Sequence, residues 1–216
     1  APNSVQENVE MVQKAFDLAE QYLHPVIIAS DAGIGQMMEP VEMPEMIEHD
    51  IDKYDWAVKP RLEGEPQRAI WNRYWDWEDG GHKYPAYLLE KYTKMEEEEQ
   101  RWESVQTEDA EFILVAYGTS ARVAKSAVNT ARKAGIKAGL FRPITLWPFP
   151  KKELQAATKS ATHILDVEMS MGQMVDDVRL ATECRIPVSF FGRTGGVIPT
   201  PGEVLAELKK LAGGAE

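Results

Sequence analysis

Two loops of this sequence hold the residue types that grip anions. The run Arg142-Pro143-Ile144-Thr145-Leu146-Trp147-Pro148-Phe149-Pro150 leaves an apolar stretch with an arginine, then fixes its path with prolines and a tryptophan. The run Phe191-Gly192-Arg193-Thr194-Gly195-Gly196 sets a second arginine beside a glycine pair whose backbone N–H groups could form an anion-binding nest. A guanidinium is a planar fork that makes two parallel, charge-assisted hydrogen bonds to a carboxylate or phosphate. A stiff loop buried in a subunit contact would use the same residues, and the sequence leaves both readings open.

Other candidates are weaker. Tyr117-Gly118-Thr119-Ser120 sits where a strand turns into a helix, whose free N–H groups could face an anion, but capping alone explains the Thr and Ser. The G-x-G of Asp31-Ala32-Gly33-Ile34-Gly35 lacks the third glycine and the following helix of a dinucleotide fingerprint. His24, His49, His82 and His163 fall in unrelated segments without metal-ligand spacing, and Cys184 has no basic neighbour beyond Arg185 to activate it. No G-x-S-x-G nucleophile elbow occurs.

The elements that would position the two loops are regular from Ala110 onward. Phe112–Tyr117, Ile136–Phe141, His163–Val167 and Pro187–Phe191 are short apolar runs of the kind found in buried strands. Between and after them, 120–134, 151–160, 173–184 and 203–211 carry helical patterns, with Gly135 ending the first and Thr200-Pro201-Gly202-Glu203 opening the last as a capping box. Alternating β and α with short connections predicts a three-layer α/β/α domain over 110–216 with a mostly parallel sheet. Ligands of such sheets gather outside the carboxyl ends of the strands, where both arginine loops lie.

Upstream the character changes twice. In residues 4–23 a Ser4-x-x-Glu7 capping box precedes Val5, Val9, Val12, Phe16, Ala19 and Leu23 at helical spacing, and Val26–Ala29 then reads as a strand buried on both faces. One helix and one strand cannot bury a core, so 1–42 is expected to be the remnant of a second α/β domain whose body lies outside this sequence. Residues 43–109 hold Trp56, Trp71, Trp75, Trp77 and Trp102 among prolines and acids, and read as a connector with a helix over about 86–103. So much aromatic area in a polar stretch implies packing on its own domain or on a partner. The acidic run Glu96–Glu99 reads as a solvated helix face. The three segments carry 1 basic and 7 acidic, 9 and 18, and 14 and 10 side chains, hence −6, −9 and +4.

The composition excludes several classes. A net charge of −11 argues against nonspecific nucleic-acid binding. No apolar run approaches the ~18–20 residues of a membrane span, and Ala1-Pro2-Asn3-Ser4 does not open a signal peptide, so a cytoplasmic setting is expected. The single cysteine rules out a disulfide framework and a cysteine-ligated iron–sulfur cluster on these residues.

Several stretches in order carry a family resemblance: Arg142 to Pro150, then Glu168-Met169-Ser170-Met171-Gly172-Gln173-Met174-Val175-Asp176-Asp177-Val178-Arg179, then Gly192 to Gly196 with Ile198-Pro199-Thr200-Pro201. With Ser4-Val5-Gln6-Glu7 and Gly35-Gln36-Met37-Met38-Glu39-Pro40 they extend over nearly the whole chain. The sequence resembles the end of one subunit of the 2-oxoacid:ferredoxin oxidoreductases, nearest to the 2-ketoisovalerate type. In that family thiamine diphosphate attacks the 2-oxo carbon, CO2 leaves, electrons pass through iron–sulfur clusters to ferredoxin and CoA takes the acyl group.

The resemblance implies that 1–42 is the tail of a pyrimidine-binding domain and 110–216 a transketolase-like C-terminal domain. It implies that thiamine diphosphate, magnesium and clusters sit in the complex with none held by this chain alone, and that the partners are other subunits, ferredoxin, CoA and a 2-oxoacid. Arg142, Glu168, Gln173, Arg193, Gly195 and Gly196 are then expected at a substrate or CoA entrance or a subunit interface, with no catalytic or metal-ligating residue on the chain. A pure assembly module and a stand-alone nucleotide-binding α/β domain are the alternatives.

Overall fold

The computed structural model describes residues 1–46, 50, 54, 57, 63–64 and 80–213. Residues 1–42 and 95–216 form one compact unit, and 43–94 form another. Trp56, Trp71, Trp75, Trp77 and His49 lie outside the described residues.

The first unit is built on a five-stranded sheet: β1 (Trp102–Val105), β2 (Phe112–Ala116), β3 (Ala138–Pro143), β4 (His163–Glu168) and β5 (Val188–Gly192), in the spatial order β1-β3-β2-β4-β5. β2, the central strand, pairs in parallel with β3 on one side and β4 on the other, and β5 pairs in parallel with β4. β1 alone is antiparallel, with Trp102 opposite Pro143 and Val105 opposite Leu140. Central position and cover on both faces explain why Phe112 to Ala116 can be an unbroken apolar run.

The helices are α1 (Val5–Tyr22), α2 (Ala32–Gln36), α3 (Gly80–Glu98), α4 (Gly118–Lys133), α5 (Lys151–Ala157), α6 (Met174–Ala181) and α7 (Pro201–Leu211). On one sheet face Leu114, Leu140, Leu165 and Val167 meet the small-residue stripe Ala121, Ala124, Ala127, Val128 and Ala131 of α4, together with Val204 and Leu208 of α7. On the other face Ile113, Val115, Phe141 and Ile164 meet Leu154 of α5 and Met174, Val178 and Ala181 of α6. The three layers expected for 110–216 are present. Side chains at alternate positions of each strand feed opposite layers, so a buried strand needs apolar residues throughout. The capping box of α7 forms as expected, with Thr200 and Glu203 each accepting the other's backbone N–H.

Four local expectations are corrected. Val26–Ala29 forms no strand; Ile27 is 88% exposed, and a strand exists only where a neighbour completes its hydrogen bonds. The helix expected over 86–103 stops at Glu98, because residues 102–105 are taken up by the edge of β3. Ser4 caps α1, but Glu7 does not reach back to Ser4: one of its carboxylate oxygens accepts the N–H of Asn3 at 2.9 Å, and Arg142 holds both. Neither Thr119 nor Ser120 caps α4, which already begins at Gly118 and takes its cap from a distant carboxylate. In the second unit Tyr84 and Tyr87 stack along α3 at 6.3 Å between centroids.

Candidate functional site

The chain runs from β2 through α4 to β3 on one side, then returns across the sheet through α5 to β4 on the other. The order therefore reverses between β2 and β4, and the carboxyl ends of those two strands flank the crevice where open α/β sheets bind ligands. Tyr117 follows β2, and Glu168 ends β4.

Glu168 is fully buried and is held by a cradle of donors. Its carboxylate accepts the hydroxyl of Ser170 at 2.8 Å and the backbone N–H groups of Gln173, Met174 and Val175 at 3.2, 3.2 and 3.0 Å. These are the free N–H groups at the start of α6, which favour negative charge. Burial works against the ionised form, yet the hydrogen bonds from Asp166, Ser170 and the α6 backbone hold the Glu168 carboxyl below the usual range.

Asp166 lies two residues earlier on the same strand, hence on the same face, and is also fully buried. Among the described residues no donor reaches either of its carboxyl oxygens. Burial, then the hydrogen bond and charge of Glu168, push its pKa up to about 9. The buried Asp166 carboxyl thus favours its neutral form beside the Glu168 carboxylate. Tyr117, half-buried nearby, is raised by burial and by the charges of Glu168, Asp166 and Asp31.

Asp31 reaches the other side of the crevice. It caps α2 by accepting the N–H of Ile34 at 3.0 Å, and also accepts the N–H of Thr119 at 2.7 Å and its hydroxyl at 2.8 Å at the start of α4. Gly118 makes room: its φ is +58°, and a Cβ there would stand 2.6 Å from Asp31 Oδ2.

The remaining expected residues are placed as follows. Arg142, in β3, is 1% exposed, and its side chain meets Glu7 of α1, Glu103 of β1 and the carbonyl of Ala1. Its partners lie within this chain: the fold brings two carboxylates to a guanidinium that has left water. Arg193 is half-exposed, pairs with Glu203 at 2.9 Å, and stacks over the Phe191 ring at 4.4 Å. The backbone N–H and hydroxyl of Thr200, with the Arg193 pair, take Glu203 down to about 2. Gly195 and Gly196 hold φ of +67° and +82° with open space around them. Gln173 contributes its N–H to Glu168. Glu168 and Gln173 therefore meet at the crevice, while Arg142 belongs to a separate cluster. An open groove of about 430 Å³ between β1 and α5, lined by Trp102, Glu153 and Lys159 among others, contains none of the expected residues.

Reading the sequence missed Asp31, Asp166 and Glu7 as parts of these clusters. Only one signal was available: in His163-Ile-Leu-Asp166-Val-Glu168 two acids alternate within a buried strand, so they share a face. Asp31 and Glu7 find their partners 88 and 135 residues away.

Comparisons with known proteins agree with this architecture. The model of the pyruvate flavodoxin/ferredoxin oxidoreductase thiamine-diphosphate-binding family matches residues 1–110, and that of pyruvate:ferredoxin oxidoreductase core domain II matches 110–204. A ketoisovalerate oxidoreductase subunit VorB of Methanothermobacter marburgensis is 44% identical over 214 residues, covering 99% of this chain and 60% of the relative. A 2-oxoglutarate synthase subunit KorA from the same organism is 28% identical, covering 96% of this chain and 62% of the relative. This chain thus spans about 60% of the length of the curated relatives it matches. The fold is shared with the 2-oxoglutarate:ferredoxin oxidoreductase of Magnetococcus marinus, at a TM-score of 0.55 and 19% identity over 62% of this chain and 23% of that one. The matches run without a break from Ala1 into α7, and the chain belongs to the pyruvate flavodoxin/ferredoxin oxidoreductase family.

Proposed function

We propose that this chain is a non-catalytic portion of a thiamine-diphosphate-dependent 2-oxoacid:ferredoxin oxidoreductase complex that converts a 2-oxoacid, 2-ketoisovalerate by preference, to acyl-CoA and CO2 while reducing ferredoxin. The observation that carries this reading is the 44% identity to a ketoisovalerate oxidoreductase subunit across 99% of the chain. In this role residues 1–42 are the tail of a pyrimidine-binding domain, 43–109 connect, and 110–216 are the transketolase-like domain, working in the cytoplasm. No described helix is long and apolar enough to cross a membrane.

Thiamine diphosphate, when bound, supplies the carbanion chemistry at the 2-oxo carbon. Its diphosphate needs free N–H donors, and its magnesium needs open oxygen ligands. At the β2/β4 crevice the starts of α4 and α6 already hold the carboxylates of Asp31 and Glu168. No group of three or more His, Cys, Asp or Glu arranged to hold a metal occurs among the described residues. This crevice does not fit these groups, and partner subunits are proposed to hold them along with the iron–sulfur clusters. The contribution of this chain is then to orient loops at the sheet's carboxyl edge, with Arg193, Gly195 and Gly196 facing CoA, substrate or a neighbouring subunit.

A pure assembly module is the second reading, and the exposed Val12, Phe16 and Ile27 favour it. The test is to purify the chain alone and together with its partner subunits, then assay 2-oxoacid oxidation with thiamine diphosphate, CoA and a viologen acceptor. Turnover is expected only in the complex, fastest with 2-ketoisovalerate. Robust turnover by the chain alone would overturn the proposal, and a complex equally active without the chain would leave the assembly role without support.

A further inference from the structure

We propose that Glu168, backed by Asp166, is a built-in anion that fills the phosphate position of this sheet's switch point and closes it to phosphate- and carboxylate-bearing small molecules. This goes beyond the oxidoreductase reading and does not depend on it.

In a doubly wound sheet, an incoming anion would meet the N–H groups that open the helices following the two strands of the switch point. Here those helices are α4, after β2, and α6, after β4. The start of α6 is taken, and at the start of α4 Asp31 holds Thr119. Three consecutive N–H groups, Gln173, Met174 and Val175, and the Ser170 hydroxyl point at Glu168, which is the donor set a phosphate would use. Gly172 N–H donates to Ser170 Oγ at 3.1 Å and holds that hydroxyl in place. On the opposite flank the N–H and hydroxyl of Thr119 are turned to Asp31.

Asp166 is the independent observation. A fully buried carboxyl whose two oxygens meet no donor has no structural use as an ion, since burying an unpaired charge is costly. In its neutral form beside Glu168 it adds no second charge to the internal anion. Tyr117 at the end of β2 and Asp177 and Arg179 of α6 interact electrostatically with the pair. An external phosphate would have to displace a carboxylate tethered by its own strand, and would meet the second carboxylate at Asp31.

The test uses the 216-residue chain, with inorganic phosphate and acetate as probes, at constant ionic strength against chloride. In the wild type neither anion should raise Tm saturably, and phosphorus NMR should show no saturable shift. Glu168→Ala empties the cradle. Its Tm should fall, then rise saturably with phosphate or acetate by about 3–6 °C at ten times the dissociation constant. Asp166→Asn keeps a neutral side chain of the same shape beside Glu168 and should remain unresponsive. Saturable stabilisation of the wild type by phosphate, or a folded Glu168→Ala that gains nothing from either anion, overturns the proposal. Should Glu168→Ala fail to fold, carbon-13 NMR of the wild-type carboxyls decides: Glu168 ionising below the usual glutamate range while Asp166 holds its proton into the alkaline range supports it. Two carboxyls that titrate at ordinary values sink it.

Discussion

Arg142 at the end of β3 and Glu7 in the first turn of α1, 135 residues apart, are joined through both terminal nitrogens of the guanidinium. The arginine is almost wholly buried, while Glu7 keeps about a third of its side chain in water. Burial opposes ionisation of Glu7, but the hydrogen bond and charge of Arg142 hold its carboxyl below the usual range. Two further carboxylates of the same segment reach across in the same way: Glu39 pairs with Arg122 at 2.8 Å, and Asp31 caps α4. Two of the seven acids of residues 1–42, Glu7 and Glu39, thus pair with arginines of the positively charged 110–216 segment.

Arg142→Ala should destabilise the chain strongly, because it strands Glu7 and Glu103 beside a void. Removing one member of a buried pair costs ~3–5 kcal/mol, and the water available to Glu7 puts the expected loss at the lower end. The midpoint of urea unfolding measures it. Glu7→Gln should cost less, since Glu103 still faces the guanidinium at 3.2 Å. Equal stability of Arg142→Ala and wild type would show that the contact is not holding the segment.

Asp31→Ala removes the caps of two helices at once. Each lost cap is worth about 0.5–2 kcal/mol, so the loss should exceed that of a single-cap variant such as Ser4→Ala. Gly118→Ala should resemble it, because the added methyl group collides with Asp31 and sits at positive φ. Hydrogen exchange should quicken at the first turn of α4 in both variants. A loss confined to α2 would contradict the bridging role.

Asp166 predicts a slope of stability with pH. The folded chain keeps its proton until about pH 9, whereas an unfolded aspartate releases it near 3.8. The native state therefore binds the extra proton in between. The stability from this group is full below about pH 4 and declines as pH rises through about 9. Asp166→Asn should gain on the wild type steadily from pH 5 to pH 9, read from urea midpoints at each pH. Parallel curves would mean that Asp166 ionises normally. Glu168 works in the opposite sense, since its lowered pKa gives stability that is lost as pH falls.

Arg193→Ala should leave Tm close to that of the wild type. Its partner Glu203 is well solvated and keeps the Thr200 capping box, and exposed pairs add little. If the loop faces a subunit or ligand, the loss appears in gel filtration with partner subunits or in the KM for CoA. Unchanged assembly and kinetics would remove Arg193 from the site.

Sequence alone determined what depends on neighbours a few residues apart. The apolar runs at Phe112, Ala138, His163 and Val188, the helices between them and the Thr200 capping box are set by local periodicity and by side chains reaching three residues along the backbone, so the layered sheet was legible. Val26–Ala29 shows the limit of that reading: a strand-like run becomes a strand only beside another strand. The charge clusters were still less accessible. Arg142 read as a loop arginine for a ligand or a subunit contact, and Glu7 as half of a capping box, because nothing within a few residues tells where a carboxylate 135 positions away will fall. Tertiary structure alone decided that Asp31 caps α4, that Asp166 keeps its proton and that Glu168 occupies the start of α6. Each depends on a distance and on exclusion of water, and both are created only when the sheet has closed around them.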